Sequence, residues 1–350
     1  MSTYAGLFEN AETGATAAPV PSRGDFIPDV SVIVPTYRRP AMLERCVRAL
    51  AAQTYDPSRY EIIVCDDGPD EATKACVQRL ATSHAQSGPK IRYVPVTATQ
   101  GPAGARNAGW HASLARRIAF TDDDTIPDSQ WLANGMRALD TGADAVSGRI
   151  VVPLPKRPTD YELDAAGLAN AEFATANAFA TRVALERTGG FDPRYTSAWR
   201  EDSDLQFALM QAGLVIARAD DATVLHPVRT ARWGVSISQQ KKSQFDALLY
   251  KKHRALFRER IRRHPPLLYY AMLAALVALF ISLMANARHI AIAAAVAWIA
   301  MTIWFCIQRL KTTARTPAHI AEMLCTSAII PYLSIYWRIR GAFKFKVLFL

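Results

Sequence analysis

From Val30 onward the chain switches repeatedly between two spacings of apolar residues. VSVIVPTY, YEIIVCDDG, KIRYVPV and RIAFTDDD are short apolar, largely β-branched runs with polar residues or proline at their ends, as buried strands have. Between them, MLERCVRALAAQ, ATKACVQRLATSH and GARNAGWHASLA return to apolar residues every three or four positions, as helices with one buried face do. Strand and helix alternate through four strands, which predicts an α/β domain with a largely parallel sheet and right-handed crossovers. In such sheets ligands bind beyond the carboxyl ends of the strands. Three of those ends carry polar residues: Thr36 and Tyr37 after the first, Asp66 and Asp67 after the second, and Asp122, Asp123 and Asp124 after the fourth. They converge on one edge.

Two later runs have no polar face. LLYYAMLAALVALFISLM (Leu267 to Met284) and IAIAAAVAWIAMTIWFCI (Ile290 to Ile307) are uncharged. At about 1.5 Å per helical residue each approaches the roughly 30 Å thickness of a bilayer's hydrocarbon. A third run, AHIAEMLCTSAIIPYLSIYW, holds Glu322 and Pro331 and leads into the basic RIRGAFKFK, so a re-entrant or interfacial helix is expected there, with full crossing as the alternative.

Charge changes the picture between these parts. The net charge is +10, and eleven Lys/Arg against Asp246 and Glu259 between Arg229 and Arg263 supply nine of those charges. Because an apolar run follows directly, the patch points to an anionic membrane surface and not to nucleic acid. Within it, Phe245, Leu248, Leu249 and Leu256 share one helical face, which predicts a basic amphipathic helix at the interface over 234–264. Basic residues also dominate QRLKTTART, whereas ANARH between the first two runs is short. The positive-inside rule then keeps residues 30–233 and the later loop at the cytoplasmic face of an inner membrane crossed more than once. The five cysteines form no CxxC or Cys/His zinc spacing and are expected as buried, reduced thiols. Residues 1–29 lack the basic head and apolar core of a signal peptide and read as a flexible tail.

The three consecutive carboxylates at Asp122 to Asp124 carry a cost. Adjacent ionised acids repel unless a cation or hydrogen-bond donors neutralise them. An Asp-capped turn leading into the helix SQWLANGMRAL is the simpler account of this stretch alone. Other chemistries fit poorly. The first strand-to-helix turn, PTYRRP, has no GxGxxG, and no Gly-Lys-Ser/Thr ending marks a phosphate loop. A haloacid-dehalogenase-type phosphatase would want Thr or Val where Ile126 stands, and its motif after the first strand.

Taken in order, VSVIVPTYRR, EIIVCDDGPDE, GPAGARNAGW, IAFTDDDTIPDSQWL, GGFDPRY and REDSDLQFALMQAG resemble an inverting family 2 glycosyltransferase of the GT-A fold. The GT-A fold is the Rossmann-like domain of nucleotide-diphospho-sugar transferases, here followed by transmembrane helices in the region 265–350. The resemblance implies that Asp66 and Asp67 hold the nucleotide, with Pro35, Thr36 and Tyr37 beside the base. Arg106 would face the ribose or diphosphate, with Asp123 beside it. Asp122 and Asp124 map to the DxD motif, where a divalent cation, Mg2+ or Mn2+, bridges the sugar diphosphate, and His226 matches a further metal ligand of some relatives. Asp202 matches the acidic base, and Glu201 is its neighbour on the acceptor side. Arg229, Arg232 and Trp233, in RTARW, resemble an element that processive members use near the diphosphate and acceptor. The implied substrates are a nucleotide-sugar and a lipid-linked or growing surface glycan. Membrane lipids, and partner subunits for glycan export, are the implied partners. A processive polysaccharide synthase is the alternative within the class, and an inactive membrane scaffold the alternative outside it.

Overall fold

The computed structural model describes residues 27–349, so the expected tail over 1–29 falls outside the described residues except for its last three positions. Eight strands form one sheet: β1 Val30–Thr36, β2 Tyr60–Asp66, β3 Lys90–Pro95, β4 Arg117–Thr121, β5 Ile126–Pro127, β6 Ala145–Val151, β7 Asn177–Thr181 and β8 Ile216–Leu225, in the spatial order β3-β2-β1-β4-β7-β6-β8-β5. The first four are parallel to one another, as expected. The second half is mixed: β7 runs antiparallel to both β4 and β6, and β5 antiparallel to β8.

Helices α1 Pro40–Ala51, α2 Glu71–Ser83, α3 Pro102–Ala112, α4 Trp131–Leu139, α5 Asp160–Ala166, α6 Arg182–Thr188 and α7 Glu201–Gln211 surround the sheet. Alternation along β1 sends Val30, Val32 and Val34 to a core shared with Leu43 and Leu50 of α1 and Leu132 of α4. Ile33 faces the opposite core, with Ala105 of α3 and Phe207 of α7. Every β1 side chain is buried, which is why the run is apolar except for Ser31, whose hydroxyl donates to Glu61 Oε1 (2.6 Å), and the terminal Thr36.

The segment 234–264 departs from the single amphipathic helix expected. It is broken into α8 Val235–Gln239, a 3-10 turn, α9 Gln244–Lys252, the short α10 Arg254–Leu256 and a π-type turn at Phe257–Ile261. Phe245, Leu248 and Leu249 of α9 are fully buried in the same core as Phe207, so the apolar face packs on the α/β domain, not on lipid. Burial of each large apolar side chain is worth roughly 1.5–3 kcal/mol relative to exposure, and here the protein core supplies it. Residue 233 is therefore not a packing boundary.

Three helices follow that are long and apolar enough to cross a membrane: α11 Leu267–Met284, α12 Arg288–Leu310 and α13 Pro317–Phe345. The third is one uninterrupted helix through Pro331, which removes the re-entrant option. It lies lengthwise against the preceding segments. Near its start, Trp233 Nε1 donates to the Ala318 carbonyl (3.4 Å) and the Gly234 N–H to Glu322 Oε1 (2.7 Å); near its end, Lys251 Nζ donates to the Phe345 carbonyl (2.8 Å). Gly341 permits the closest approach, since a Cβ there would collide with the Gln244 carbonyl oxygen. Cys46, Cys65, Cys76 and Cys306 are buried thiols as expected, but Cys325 is exposed on α13.

Candidate active site

Sheet register assembles the site. Parallel pairing sets Ile33 beside Phe120, so three residues further on Thr36 and Asp123 meet at the strand ends, where Thr36 Oγ1 donates to Asp123 Oδ2 (2.7 Å). The two-residue strand β5 pairs Ile126 with Leu225, which brings Asp124 and His226 to the same place from either side of that pairing. His226 Nε2 lies 3.4 Å from Asp124 Oδ1. Asp122, Asp124 and His226 each offer a ligand atom within 4.8 Å of the others. Two carboxylates and an imidazole are a donor set that suits a divalent cation such as Mn2+, and they line a cavity of about 910 Å³.

The neighbouring charges are arranged around this cluster. Burial opposes ionisation of Asp122, but Arg106, His226 and Arg39 outweigh it and hold the carboxyl below its ordinary value. Asp123 is fully buried, and burial pushes its pKa up to about 6 although Arg39 and Thr36 act against the rise. Arg39 lies 2.9 Å from Asp123 and 3.7 Å from Asp124, and Arg229 Nε is 3.2 Å from Asp124. The acid-rich turn is thus matched by cations on two sides.

The first turn of α7 lines the same cavity. Arg106, buried in α3, donates to Asp122 Oδ1 (2.8 Å) and Glu201 Oε1 (3.1 Å), linking the DxD turn to α7. Burial raises the pKa values of both Glu201 and Asp202 above the usual carboxylate range. Asp202 lines the cavity and accepts from the Ser203 N–H (2.7 Å). Arg200, just before them, adopts a left-handed φ of 76° and donates to Asp246 Oδ1 of α9 (2.7 Å). A non-glycine residue there costs energy, and the Arg200 ion pair is one contact that holds it.

Most of the residues expected from the sequence meet in this cavity: Pro35, Thr36, Tyr37, Asp67, Arg106, Asp122, Asp123, Asp124, Glu201, Asp202, His226 and Arg229 all line it. Three do not. Asp66 is fully buried behind the rim and accepts from the Tyr93 hydroxyl (2.8 Å) and the N–H groups of Gly68 and Asp70, so it shapes the turn. Arg232 lies outside the cavity, and the exposed Trp233 sits against α13. Arg106 is in the wall, yet two of its nitrogens are committed to acids. The sequence reading missed Arg39, Trp199 and Lys242, which also line the cavity. The PTYRRP turn could have suggested Arg39; Lys242 lay in the stretch read as membrane-facing.

Residues 31–198 match the model of glycosyl transferase family 2. Over this stretch the chain is similar to glycosyl transferase family 2. It is similar to the glycosyltransferase AglE of Haloferax volcanii, 33% identical over 137 residues, which are 39% of this chain and 44% of AglE. It is also similar to a Campylobacter jejuni GalNAc(5)-diNAcBac-PP-undecaprenol β-1,3-glucosyltransferase, 32% identical over 127 residues, 36% of this chain and 39% of that one. The chain therefore aligns with less than half the length of each of these two relatives. The mannosyltransferase PcManGT of Pyrobaculum calidifontis, solved in complex with GDP-Man and Mn2+, shares its GT-A fold with a TM-score of 0.52 at 21% identity, over 91% of this chain and 87% of that one.

Proposed function

We propose that the protein is a membrane-anchored, metal-dependent, inverting glycosyltransferase that moves a sugar from a nucleotide-sugar to a lipid-linked or surface-glycan acceptor. The observation that carries this reading is the shared cavity, lined both by the Asp122, Asp124 and His226 cluster and by Asp202. Support also comes from the neighbour solved with GDP-Man and Mn2+ and from the relative whose name specifies a PP-undecaprenol acceptor.

Asp122, Asp124 and His226 would hold the divalent cation, which supplies charge neutralisation for the leaving diphosphate. Tyr37 and Asp67 line the end of the cavity assigned to the nucleotide. Asp202 accepts the proton of the acceptor hydroxyl as that oxygen bonds to the anomeric carbon and the bond to the diphosphate breaks on the opposite face. One displacement of this kind inverts the anomeric configuration. Arg229, beside Asp124, adds positive charge where negative charge develops on the leaving group. Arg232 and Trp233 lie away from the cavity, which favours single addition over a processive synthase.

The test is a panel of nucleotide-sugars offered to the purified protein with Mn2+ and Mg2+ separately, with the anomeric configuration of the product read by NMR. Metal-dependent turnover with inversion supports the proposal. Retention, or turnover indifferent to metal, overturns it.

A further inference from the structure

A second concavity, a groove of about 720 Å³, is formed by the chain segment that leads from the α/β domain to α11. Its lining runs from Arg258 to Pro265 and includes Arg258, Arg260, Arg262, Arg263 and His264. Four arginines meet one carboxylate, Glu259, in this stretch, and it contains no lysine. The guanidinium fork matches phosphate oxygens in pairs, whereas a non-specific membrane patch has no need to choose arginine over lysine. The backbone is shaped for the purpose by a π-type turn, closed by the Arg262 N–H donating to the Phe257 carbonyl (2.9 Å). Among the described residues, Arg262 and Arg263 form no ion pair, and both are exposed.

The groove adjoins the catalytic cavity. Arg260 and Ile261 line both. Arg260 Nη1 donates to Glu172 Oε2 (2.7 Å), and Gln206 of α7 donates to the same oxygen (2.8 Å), so the shared rim is tied to the helix that bears Asp202. On its other side the groove ends at Pro265, two residues before α11 begins with the exposed Leu267. A ligand seated there would have its anionic group at headgroup level, an apolar tail along α11, and whatever the anion carries directed over Arg260 into the cavity.

From this juxtaposition we infer that the groove from Arg258 to Pro265 binds the diphosphate of a polyprenyl-diphosphate-linked acceptor and presents its sugar to Asp202. The inference rests on the transferase reading of the cavity and adds the acceptor's chemical class and its docking place. A bulk anionic phospholipid would satisfy the charge, but it would give no reason for a wall shared with the catalytic cavity.

The test uses the full chain in phosphatidylcholine nanodiscs, with EDTA present to silence diphosphate binding at the metal cluster. Farnesyl diphosphate is titrated against farnesol, inorganic diphosphate and added phosphatidylglycerol. Saturable binding of farnesyl diphosphate, at least about tenfold tighter than either fragment and weakened at least about tenfold in R262A/R263A, supports the site. A photoreactive farnesyl diphosphate on the unmutated chain reads the place independently of the variant's folding. Adducts on peptides spanning Arg258 to Leu276 support the site; adducts confined to the Asp122 turn overturn it. Phosphatidylglycerol competing as well as farnesyl diphosphate, or undiminished binding by R262A/R263A, also overturns it. In the same nanodiscs, Mn2+-dependent binding of UDP-sugars and GDP-sugars tests the transferase reading separately. If these donors bind and farnesyl diphosphate does not, the groove inference alone fails.

Discussion

Asp124 sits within reach of His226, Arg39 and Arg229 at once, so its carboxylate is the point where metal ligation would coincide with neutralisation of the turn. Asp124→Asn is expected to abolish metal-dependent donor turnover while leaving the thermal unfolding midpoint close to that of the unmutated protein, as activity and calorimetry would read. Asp202 behaves differently because its burial disfavours the charge that a base needs. Removal of a positioned base costs about 10²- to 10⁴-fold in rate, so Asp202→Asn should lose turnover and keep donor affinity. The raised pKa of Asp202 also fixes two pH trends. Turnover falls as pH falls through that raised value, because the base becomes protonated. Stability runs the opposite way: a carboxyl whose folded value is raised contributes stability below its unfolded value and loses it as pH rises through the folded one. Asp202→Asn should therefore melt higher than the unmutated protein at pH 8, and by less at pH 5. An unchanged melting temperature at both pH values would show that the Asp202 charge costs the fold nothing.

At the scale of elements, β1, β2 and β4 were legible because they are buried on both faces, leaving mostly apolar runs with turn residues at their ends, while the edge strand β3 kept only Ile91 buried and was legible from its β-branched residues. The cavity's acids were legible because they follow such runs at the strand ends, although Asp66, at the same position, serves only to shape a turn. The strand β5 was not: two residues carry no periodicity, yet its pairing with β8 is what places His226. The segment around α9 shows a different limit. Helical spacing of Phe245, Leu248 and Leu249 reports that one face is covered, not what covers it, and basic neighbours suggested lipid where protein packs. The close contact of α13 with this segment passes through Gly341. Gly341→Leu should force the two apart at a cost of about 1–3 kcal/mol, the usual penalty of overpacking. Accelerated proteolysis between Ser236 and Lys252 would report the separation, and an unaltered digestion pattern would show that the contact is dispensable.

For the whole molecule, the contacts at both ends of α13 bear on topology. Ala318 meets Trp233 and Phe345 meets Lys251, so its two ends lie against segments on the catalytic side of the hairpin formed by α11 and α12. A helix held in this way would have to pull the catalytic domain with it to cross a bilayer. Single cysteines near Ala287, Thr313 and Ala342, in a cysteine-free background, are expected to react with an impermeant thiol reagent outside intact cells only near Ala287. Labelling near Ala342 would establish a third crossing. The hairpin is also fastened to the active site: Arg309, in the last turn of α12, holds Asp160 Oδ2 at 2.7 Å and Oδ1 at 3.2 Å, and Asp160 begins α5, whose Tyr161 and Asp164 line the cavity. Bilayer thickness then becomes a kinetic variable. If α11 and α12 span the bilayer, a hairpin that tilts to match thinner hydrocarbon would move Arg309, and with it the part of the cavity wall that α5 forms. Turnover measured in nanodiscs of graded acyl length should pass through an optimum, and Asp160→Asn should flatten it. Short-chain detergent, by the same coupling, would leave a well-folded protein that works slowly for want of the right lateral pressure.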